Sequence, residues 1–277
     1  MTSSKRILIT GVSSGFGLAL AREALQAGHT VIGTVRRHDA CPPFEHLHPT
    51  RAIARVLDVT DSAAIPALVE GIEADIGAID VLVNNAGYGQ EGILEESPLQ
   101  DMRQQFDVNV FGAVAMAKAV LPYMRARRAG HILNITSMGG FITMPGIAYY
   151  CGSKFALEGI SEVLGKEVQP FGIHVTAVAP GSFRTDWAGR SMVRAPRSIA
   201  DYDALFDPIR QAREAKSGHQ LGDPAKAARA MLQVIASDAP PAHLLLGSDA
   251  LQLVRDKLAA MSAQIDAWEA LTRSTDG

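Results

Sequence analysis

The segment AYYCGSKFALEG, residues 148–159, places two tyrosines ahead of a lysine in a pattern typical of a buried helix. A helix turns by about 100° per residue, so Tyr150 and Lys154 lie about 40° apart around its axis, whereas Tyr149 and Lys154 lie about 140° apart. Tyr150 and Lys154 therefore share a face. Because an ammonium group favours the phenolate form of a nearby tyrosine, this pair could act as an acid/base couple; taken alone, it could equally be an amphipathic packing pair.

The glycine-rich segment ITGVSSGFG, residues 9–17, indicates a site for phosphate groups. It leaves an apolar run and enters a helical pattern, where glycines permit a tight turn and the helix N-terminus offers free N–H groups to a pyrophosphate. Its G-x-x-x-G-x-G spacing departs from the commoner G-x-G-x-x-G, so the segment alone leaves an ordinary glycine-rich turn open. The residues expected to contact a dinucleotide are Gly11, Ser13, Ser14, Gly15, Phe16 and Gly17.

The end of the next apolar run indicates which dinucleotide would bind. Sites for NAD place an acidic residue about 20 residues after the glycines, whereas sites for NADP place an arginine nearby. Val35 stands at the acidic position, and Arg36 and Arg37 follow it with guanidinium groups suited to a 2′-phosphate. A solvated strand end is the alternative interpretation of the two arginines. We predict NADP(H) in preference to NAD(H).

Short apolar runs alternate with helical patterns along the chain, and these elements must position the reactive groups. The runs are nearly continuously apolar, which predicts an α/β fold: a doubly wound parallel sheet of about seven strands, covered by helices on both faces. Helices are expected after Gly15, after Thr60 and after Asp223. The expected strands are residues 6–10, 30–35, 52–59, 79–85, 130–137, 173–180 and 243–247.

One dinucleotide-binding and catalytic domain is expected over residues 1–277, because no repeat or linker divides the chain. Residues 184–222 mix aromatics, arginines and prolines and could form an insertion that covers the substrate. A helical tail is expected over about residues 249–277.

The composition favours a soluble, cytoplasmic protein that acts on small molecules. The net charge is −3 and no block of like charges occurs, which argues against a nucleic-acid or membrane partner. Cys41 and Cys151 are far apart, so free thiols in a reducing compartment are expected. His46 and His48 lack a third ligand at suitable spacing, and no metal site is predicted. No signal peptide or membrane-spanning segment is predicted either.

Seven segments occur in an order and spacing that resemble one known family: TGVSSGFG (10–17), LDVTD (57–61), NNAG (84–87), FDVNVFG (106–112), NITS (134–137), YCGSK (150–154) and PGSFRT (180–185). Over about residues 5–250 the chain is similar to the short-chain dehydrogenase/reductases (SDRs), and the TVRR, EGISEVLGKEVQPFGI and PGSFRTDW segments look most like the 17β-hydroxysteroid dehydrogenase-like branch. The resemblance implies a Rossmann-type fold and an oxidoreductase that transfers a hydride between a nicotinamide cofactor and a carbonyl or secondary alcohol, as in ketone reduction.

The resemblance also implies roles for individual residues. In the implied catalytic tetrad, Ser137 binds the substrate oxygen, Tyr150 exchanges the proton, Lys154 lowers the pKa of Tyr150 and bonds the nicotinamide ribose, and Asn109 anchors a water chain to the lysine. Further implied cofactor contacts are Asp58, Val59, Asn85, Ala86, Gly87, Pro180, Gly181, Phe183 and Thr185. Candidates to line an apolar substrate pocket are Tyr88, Ser137, Met138, Phe141, Met144, Phe183, Trp187 and Met192, although methionines and aromatics also suit an ordinary core.

Other interpretations are an NADP-binding sensor without turnover, and an epimerase or dehydratase that keeps its cofactor bound. The intact Ser, Tyr and Lys set argues against the sensor, and the absence of a G-x-x-G-x-x-G turn argues against the epimerase. The last strand continues as LLLGSDALQLV, where many family members have a D-G-G segment, which leaves a homodimer, a homotetramer or a monomer open.

Overall fold

The apolar runs form strands, and the segments between them form helices, in the computed structural model, which describes residues 4–189 and 191–277. The strands are β1 (Arg6–Thr10), β2 (Thr30–Val35), β3 (Ala52–Val56), β4 (Val81–Asn84), β5 (Gly89–Glu91), β6 (Gly130–Ile135), β7 (Ile173–Pro180), β8 (Met192–Arg194) and β9 (His243–Leu246). The helices are α1 (Gly15–Gln26), α2 (Cys41–Glu45), α3 (Ala64–Asp75), α4 (Leu99–Phe106), α5 (Gly112–Arg127), α6 (Ala148–Val168), α7 (Asp203–Ala215), α8 (Pro224–Ile235), α9 (Ser248–Ala267) and α10 (Glu269–Arg273).

The order of the strands creates a crevice at one edge of the sheet. Among the described residues, seven strands pair in parallel in the order β3-β2-β1-β4-β6-β7-β9. The chain therefore runs outward from β1 to β3, returns to β4 beside β1, and continues outward to β9. At such a reversal, ligands bind at the carboxyl ends of the strands. The expected single-domain, Rossmann-type doubly wound sheet is confirmed.

Helices cover both faces of this sheet. On one face, α1 and α8 contribute fully buried small residues such as Ala24 and Ala228. On the other face, α3 and α5 bury Val69 and Met116 in a second cluster that includes Leu82 of β4. Because neither face meets water, the strands need apolar residues at nearly every position, which explains their continuous apolar runs.

Some element bounds differ from those predicted. The expected strands at 52–59 and 130–137 end early, at Val56 and Ile135, because the chain turns away from the ladder there to reach the carboxyl edge of the sheet. The helix expected after Thr60 begins at Ala64 instead. The Asp58 carboxylate accepts hydrogen bonds from the N–H and hydroxyl of Thr60, and Asp61 accepts one from the Ala64 N–H, so the side chains stabilise turns in place of the first helical turn.

Residues 184–222 contain β8 and α7 and are tied to the chain that follows β4. Strand β8 pairs with β5 in a separate two-stranded sheet. The buried carboxylate of Glu91 in β5 forms ion pairs with Arg194 of β8 and Arg213 of α7. The ion pairs and the strand pairing together hold α7 beside the carboxyl edge of the large sheet.

The chain ends in α9 and α10, which lie largely in solvent. Val254 is buried, whereas Leu258, Ile265 and Trp268 are exposed. Across residues 4–189 and 191–277, no helix combines the length and apolar character that a membrane span requires.

Candidate active site

A cavity of about 1070 Å³ lies at the carboxyl ends of the strands, where the order of the sheet predicts a ligand site. Ser137, Tyr150 and Lys154 lie on its walls together with the glycine-rich turn. Of the implied cofactor contacts, the walls include Gly11, Ser13, Ser14, Gly15, Phe16, Arg36, Asp58, Val59, Asn85, Ala86, Gly87, Pro180, Gly181, Phe183 and Thr185.

The glycine-rich turn has the geometry that a pyrophosphate requires. Gly11 and Gly15 have φ of 72° and 57°, in the left-handed region that favours glycine. A Cβ on Gly15 would meet only the Thr185 Cβ, at 3.9 Å, so the backbone is open to the cavity. Helix α1 has no side-chain cap and no acidic residue in its first turn, which leaves its positive end available to an anion. These residues fit a dinucleotide.

Gly17, expected to contact the cofactor, lies behind the turn and not on the cavity wall. A Cβ there would come within 2.3 Å of the Gly11 carbonyl oxygen and 2.5 Å of the Asn85 amide nitrogen. That amide donates hydrogen bonds of 2.9 Å to the carbonyl oxygens of both Thr10 and Gly11. Gly17 therefore acts through packing, since it lets helix α1 approach the turn.

The end of the cavity next to β2 contains one of the two expected arginines. Val35 and Arg36 lie on its wall. Arg37 is not on the wall, and its guanidinium pairs with the Asp39 carboxylate at 2.9 Å in solvent. Asp58 lies on the same wall, and the hydrogen bond from the Thr60 N–H is the main cause that lowers its pKa, with a contribution from Arg36.

Tyr150 and Ser137 both lie on the cavity wall, where their side chains are close neighbours. Tyr150 is only 6% exposed, and its burial raises the pKa of the phenol, an effect that the nearby Ser137 hydroxyl opposes. The Ser137 hydroxyl also accepts a hydrogen bond of 3.0 Å from the Gly139 N–H, which orients it at the end of β6. The phenol is therefore protonated near neutral pH in this arrangement, as a proton donor must be.

Lys154 lies one helical turn beyond Tyr150, on the same face of α6. Its Nζ atom is 5.7 Å from the centre of the Tyr150 ring and donates a hydrogen bond of 2.8 Å to the Ile135 carbonyl oxygen. Burial lowers the pKa of Lys154 to about 8, and the charge of Glu158 opposes that effect. Tyr149 points elsewhere, since its hydroxyl donates a hydrogen bond to the Ser97 carbonyl oxygen at 2.9 Å.

Asn109 lies in a π-helical segment, Asp107–Phe111, between α4 and α5. Its amide nitrogen donates to the Tyr88 carbonyl oxygen and the Ser153 hydroxyl, and its amide oxygen accepts from the Tyr88 N–H. Asn109 is buried and does not reach the cavity wall. Because it joins the chain after β4 to the turn of α6 that carries Tyr150 and Lys154, it fixes the position of that turn. The sequence did not predict this π turn, which is wider than an α-helical turn.

The cavity is apolar near Tyr150. Tyr88, Met138, Met144 and Trp187 line it there, and the Trp187 ring centre is 4.9 Å from that of Tyr150. Two residues expected to line the substrate pocket do not lie on the cavity wall. Phe141 packs edge-on against His243, with ring centres 5.7 Å apart, and Met192 is buried in β8.

Helix α7 supplies wall residues that the sequence interpretation missed. Ile209, Ala212, Arg213 and Lys216 follow one another at helical spacing and face the cavity. That spacing inside the 184–222 segment was the available signal. The remaining missed residues include Gln104, Asp107, Ser191, Val193 and Gln220.

Both cysteines are free thiols, with Cys151 buried beside Tyr150 and Cys41 half-buried in α2. His48 accepts hydrogen bonds from the N–H groups of Thr50 and Arg51 and so closes a turn. Among the residues that the structure describes, no group of three or more His, Cys, Asp or Glu side chains could hold a metal ion.

Comparison with known proteins assigns the family. A sequence model of the short chain dehydrogenases matches residues 5–193. The chain belongs to this family. This SDR chain is 40% identical to 3-ketodihydrosphingosine reductase of Bacteroides thetaiotaomicron over 243 residues, a region that covers 87% of each protein. It is 37% identical over 265 residues to an oxidoreductase of Botryotinia fuckeliana, or 95% of this chain and 96% of that protein.

A third relative and two solved structures are also similar to this chain, and the relative and one of the structures name a cofactor. The NADPH-dependent 3-dehydrocapnine reductase of Ornithobacterium rhinotracheale is 33% identical over 212 residues, or 74% of this SDR chain and 75% of that protein. A short-chain dehydrogenase from Streptomyces avermitilis superposes with a TM-score of 0.92 and 41% identity over 100% of both chains. ElxO with NADP bound superposes with a TM-score of 0.75 and 25% identity, over 90% of this chain and 100% of that one. The chain is therefore an NAD(P)-binding oxidoreductase of the SDR type.

Proposed function

We propose that this SDR chain transfers a hydride between NADP(H) and the carbonyl or secondary alcohol group of an apolar small molecule, with Tyr150 as the acid/base. One observation carries the proposal: Ser137 and Tyr150 lie together on the wall of the same cavity as the phosphate turn. A substrate oxygen that bonds both hydroxyls would meet a proton donor and a second donor that stabilises developing negative charge.

The residues of this chain would divide the work as follows. The nicotinamide cofactor, when bound, supplies the hydride donor or acceptor. The Tyr150 hydroxyl, protonated in this buried setting, would give its proton to the substrate oxygen during reduction. Ser137 would hold that oxygen, and the Lys154 ammonium would stabilise the phenolate left on Tyr150. In the oxidative direction, the same phenolate would accept the alcohol proton.

NADP(H) as the preferred cofactor is supported by charge at the adenine end of the cavity. Arg36 lies on its wall, and Val35 occupies the position where an acidic residue would bond a ribose 2′-hydroxyl. An NADPH-dependent relative and an NADP-bound structural neighbour agree with this preference. The Arg36 guanidinium would donate to the 2′-phosphate, as planar arginine groups commonly do.

The substrate is proposed to be an apolar, bulky carbonyl compound. Met138, Met144 and Trp187 form the wall next to Tyr150, and the insertion at 184–222 would cover the bound molecule through α7. A relative that is a 3-ketodihydrosphingosine reductase favours a long-chain ketone, whereas the 17β-hydroxysteroid dehydrogenase-like branch, proposed from the TVRR and PGSFRTDW segments, favours a fused-ring ketone.

An assay with a panel of ketones and alcohols tests the proposal. NADPH or NADH is mixed with long-chain 3-ketones, ketosteroids and short ketones, and the absorbance at 340 nm is followed. Steady consumption of NADPH with apolar ketones is expected, with NADH clearly slower. A sensor would bind NADPH without consuming it, and an epimerase would convert substrate with no net loss of NADPH; either result would replace this proposal.

A further inference from the structure

A buried carboxylate lies beside the Tyr150 and Lys154 pair and has no role in the proposed reaction. Glu158 follows Lys154 by one turn of α6 and is only 6% exposed. Its Oε1 atom accepts a hydrogen bond of 2.5 Å from the Thr136 hydroxyl, and its Oε2 atom lies 2.8 Å from the Nδ1 atom of His243 in β9. A buried charge of this kind is costly unless it is paired, so its partners matter.

The turn after Ser137 packs very closely against the part of α6 that carries Glu158. A Cβ on Gly140 would lie 2.8 Å from the Glu158 Cγ atom and 3.0 Å from the Lys154 carbonyl oxygen, so only glycine lets the turn after Ser137 rest on this part of α6. The Thr136 hydroxyl oxygen also lies 2.9 Å from the Val178 carbonyl oxygen, so its single proton is shared between that oxygen and the Glu158 carboxylate. The carboxylate is therefore fixed between β6, β7, β9 and α6.

Few charged groups face this carboxylate. Lys154 lies one turn before it on α6, and His243 faces it from β9. Glu162, one turn further along α6, also acts on His243 but is exposed and pairs with Lys166 at 2.7 Å. Glu158 and Lys154 lie one turn apart on the same face of α6 and are each 6% exposed, and the charge of Glu158 opposes the effect of burial on the pKa of Lys154.

We propose that Glu158 is a positioning residue that keeps Lys154 in its ammonium form, and that His243 holds Glu158 in the ionised state this requires. The inference rests on the proposed function, in which the Lys154 ammonium serves Tyr150. Burial disfavours the charge on Lys154, and a fixed negative charge one helical turn away offsets that cost. Burial raises the pKa of Glu158, and the hydrogen bonds of its carboxylate with the Thr136 hydroxyl and with His243 oppose that effect.

The test measures the protonation of Lys154 directly, in the full chain and without substrate. Lysine labelled with ¹³C at its ε-carbon is titrated by NMR, and the Lys154 signal is assigned by its loss in Lys154→Met. In Glu158→Gln, which removes the charge but keeps hydrogen-bonding groups, the titration midpoint of Lys154 is expected to fall by about one pH unit. His243→Leu keeps an apolar contact with Phe141 and is expected to lower the titration midpoint of Lys154 as well. This variant replaces Glu158→Gln in the test if Glu158→Gln does not fold.

Glu162→Gln is the matched control, because Glu162 lies one turn away on the same helix and in solvent; the Lys154 midpoint should not move. If the titration midpoint of Lys154 is unchanged in Glu158→Gln, the inference is overturned. If Glu158→Gln does not fold, an unchanged midpoint in His243→Leu overturns it. Where the wild type turns over a ketone, the alkaline limb of the kcat/KM profile must also move to lower pH in the variant. A uniform loss of activity at all pH values would leave Glu158 a purely structural role. If no ketone is reduced, the proposed function fails while the NMR result still decides the protonation of Lys154.

Discussion

At the scale of single residues, Tyr150 carries the chemistry and can be separated from its neighbour. Tyr150→Phe removes the hydroxyl that would donate the proton, so kcat for ketone reduction should fall by about 10²- to 10⁴-fold. The affinity for NADPH, measured by its fluorescence, should remain near that of the wild type, because the phosphate turn and Arg36 are untouched. Tyr149→Phe is the control; it loses one hydrogen bond, to Ser97, and should keep its turnover. Equal activity in the two variants would exclude Tyr150 as the acid/base.

Two adjacent residues should set the cofactor preference. Val35→Asp combined with Arg36→Gln exchanges the proposed 2′-phosphate site for one that suits a ribose hydroxyl. Because a charge-assisted hydrogen bond contributes about 1.5–3 kcal/mol, the ratio of kcat/KM for NADPH over NADH should fall by about tenfold or more. Arg37→Gln is the control, since Arg37 pairs with Asp39 away from the cavity, and its ratio should not change. A double variant that still strongly prefers NADPH would contradict this assignment.

At the scale of elements, local patterns predicted the strands well and the walls of the site less well. β1, β2 and β7 have the predicted bounds because apolar runs buried on both faces end sharply, at Gly11, Arg36 and Gly181 respectively. The turn and the Tyr150 and Lys154 face followed from glycine spacing and helical period. Phe141 and α7 could not be assigned in this way. Whether an apolar side chain faces a cavity or a neighbour such as His243 depends on how separate elements pack, and the sequence of one element does not contain that information.

Packing of α1 on the phosphate turn can be tested with two helical glycines. In Gly17→Ala, the new Cβ would clash with the Gly11 carbonyl oxygen at 2.3 Å, which forces the turn to open. Overpacking of this kind costs about 1–3 kcal/mol, and the Kd for NADPH should rise by about tenfold or more. In Gly71→Ala, within α3, the Cβ meets nothing within 4 Å, so the variant should gain about 0.5–1 kcal/mol of unfolding free energy and keep its NADPH affinity. Weaker NADPH binding in both variants, or in neither, would contradict this role for Gly17.

At the scale of the whole molecule, a buried histidine should make stability depend on pH. His131 lies in β6, is 6% exposed, and bonds the Thr176 hydroxyl at 2.9 Å. Burial lowers its pKa to about 4, and the neighbouring His174 adds to the effect. The folded state therefore binds this proton less readily than the unfolded state, whose histidine has a pKa near 6.5. The contribution of neutral His131 to the free energy of unfolding is fully present above pH 6.5 and is lost as the pH falls toward 4.

The size of this effect can be measured by urea unfolding at several pH values. From about pH 7.5 to about pH 5, neutral His131 should account for a loss of about 2 kcal/mol in the free energy of unfolding. His131→Gln keeps a polar partner for Thr176 but cannot titrate. Between about pH 7.5 and about pH 5, its free energy of unfolding should therefore fall by about 2 kcal/mol less than that of the wild type. His219→Gln, at an exposed position after α7, is the control and should follow the wild type. If the free energy of unfolding of His131→Gln depends on pH as that of the wild type does, the buried, uncharged His131 ring in β6 does not cause the loss of stability at low pH.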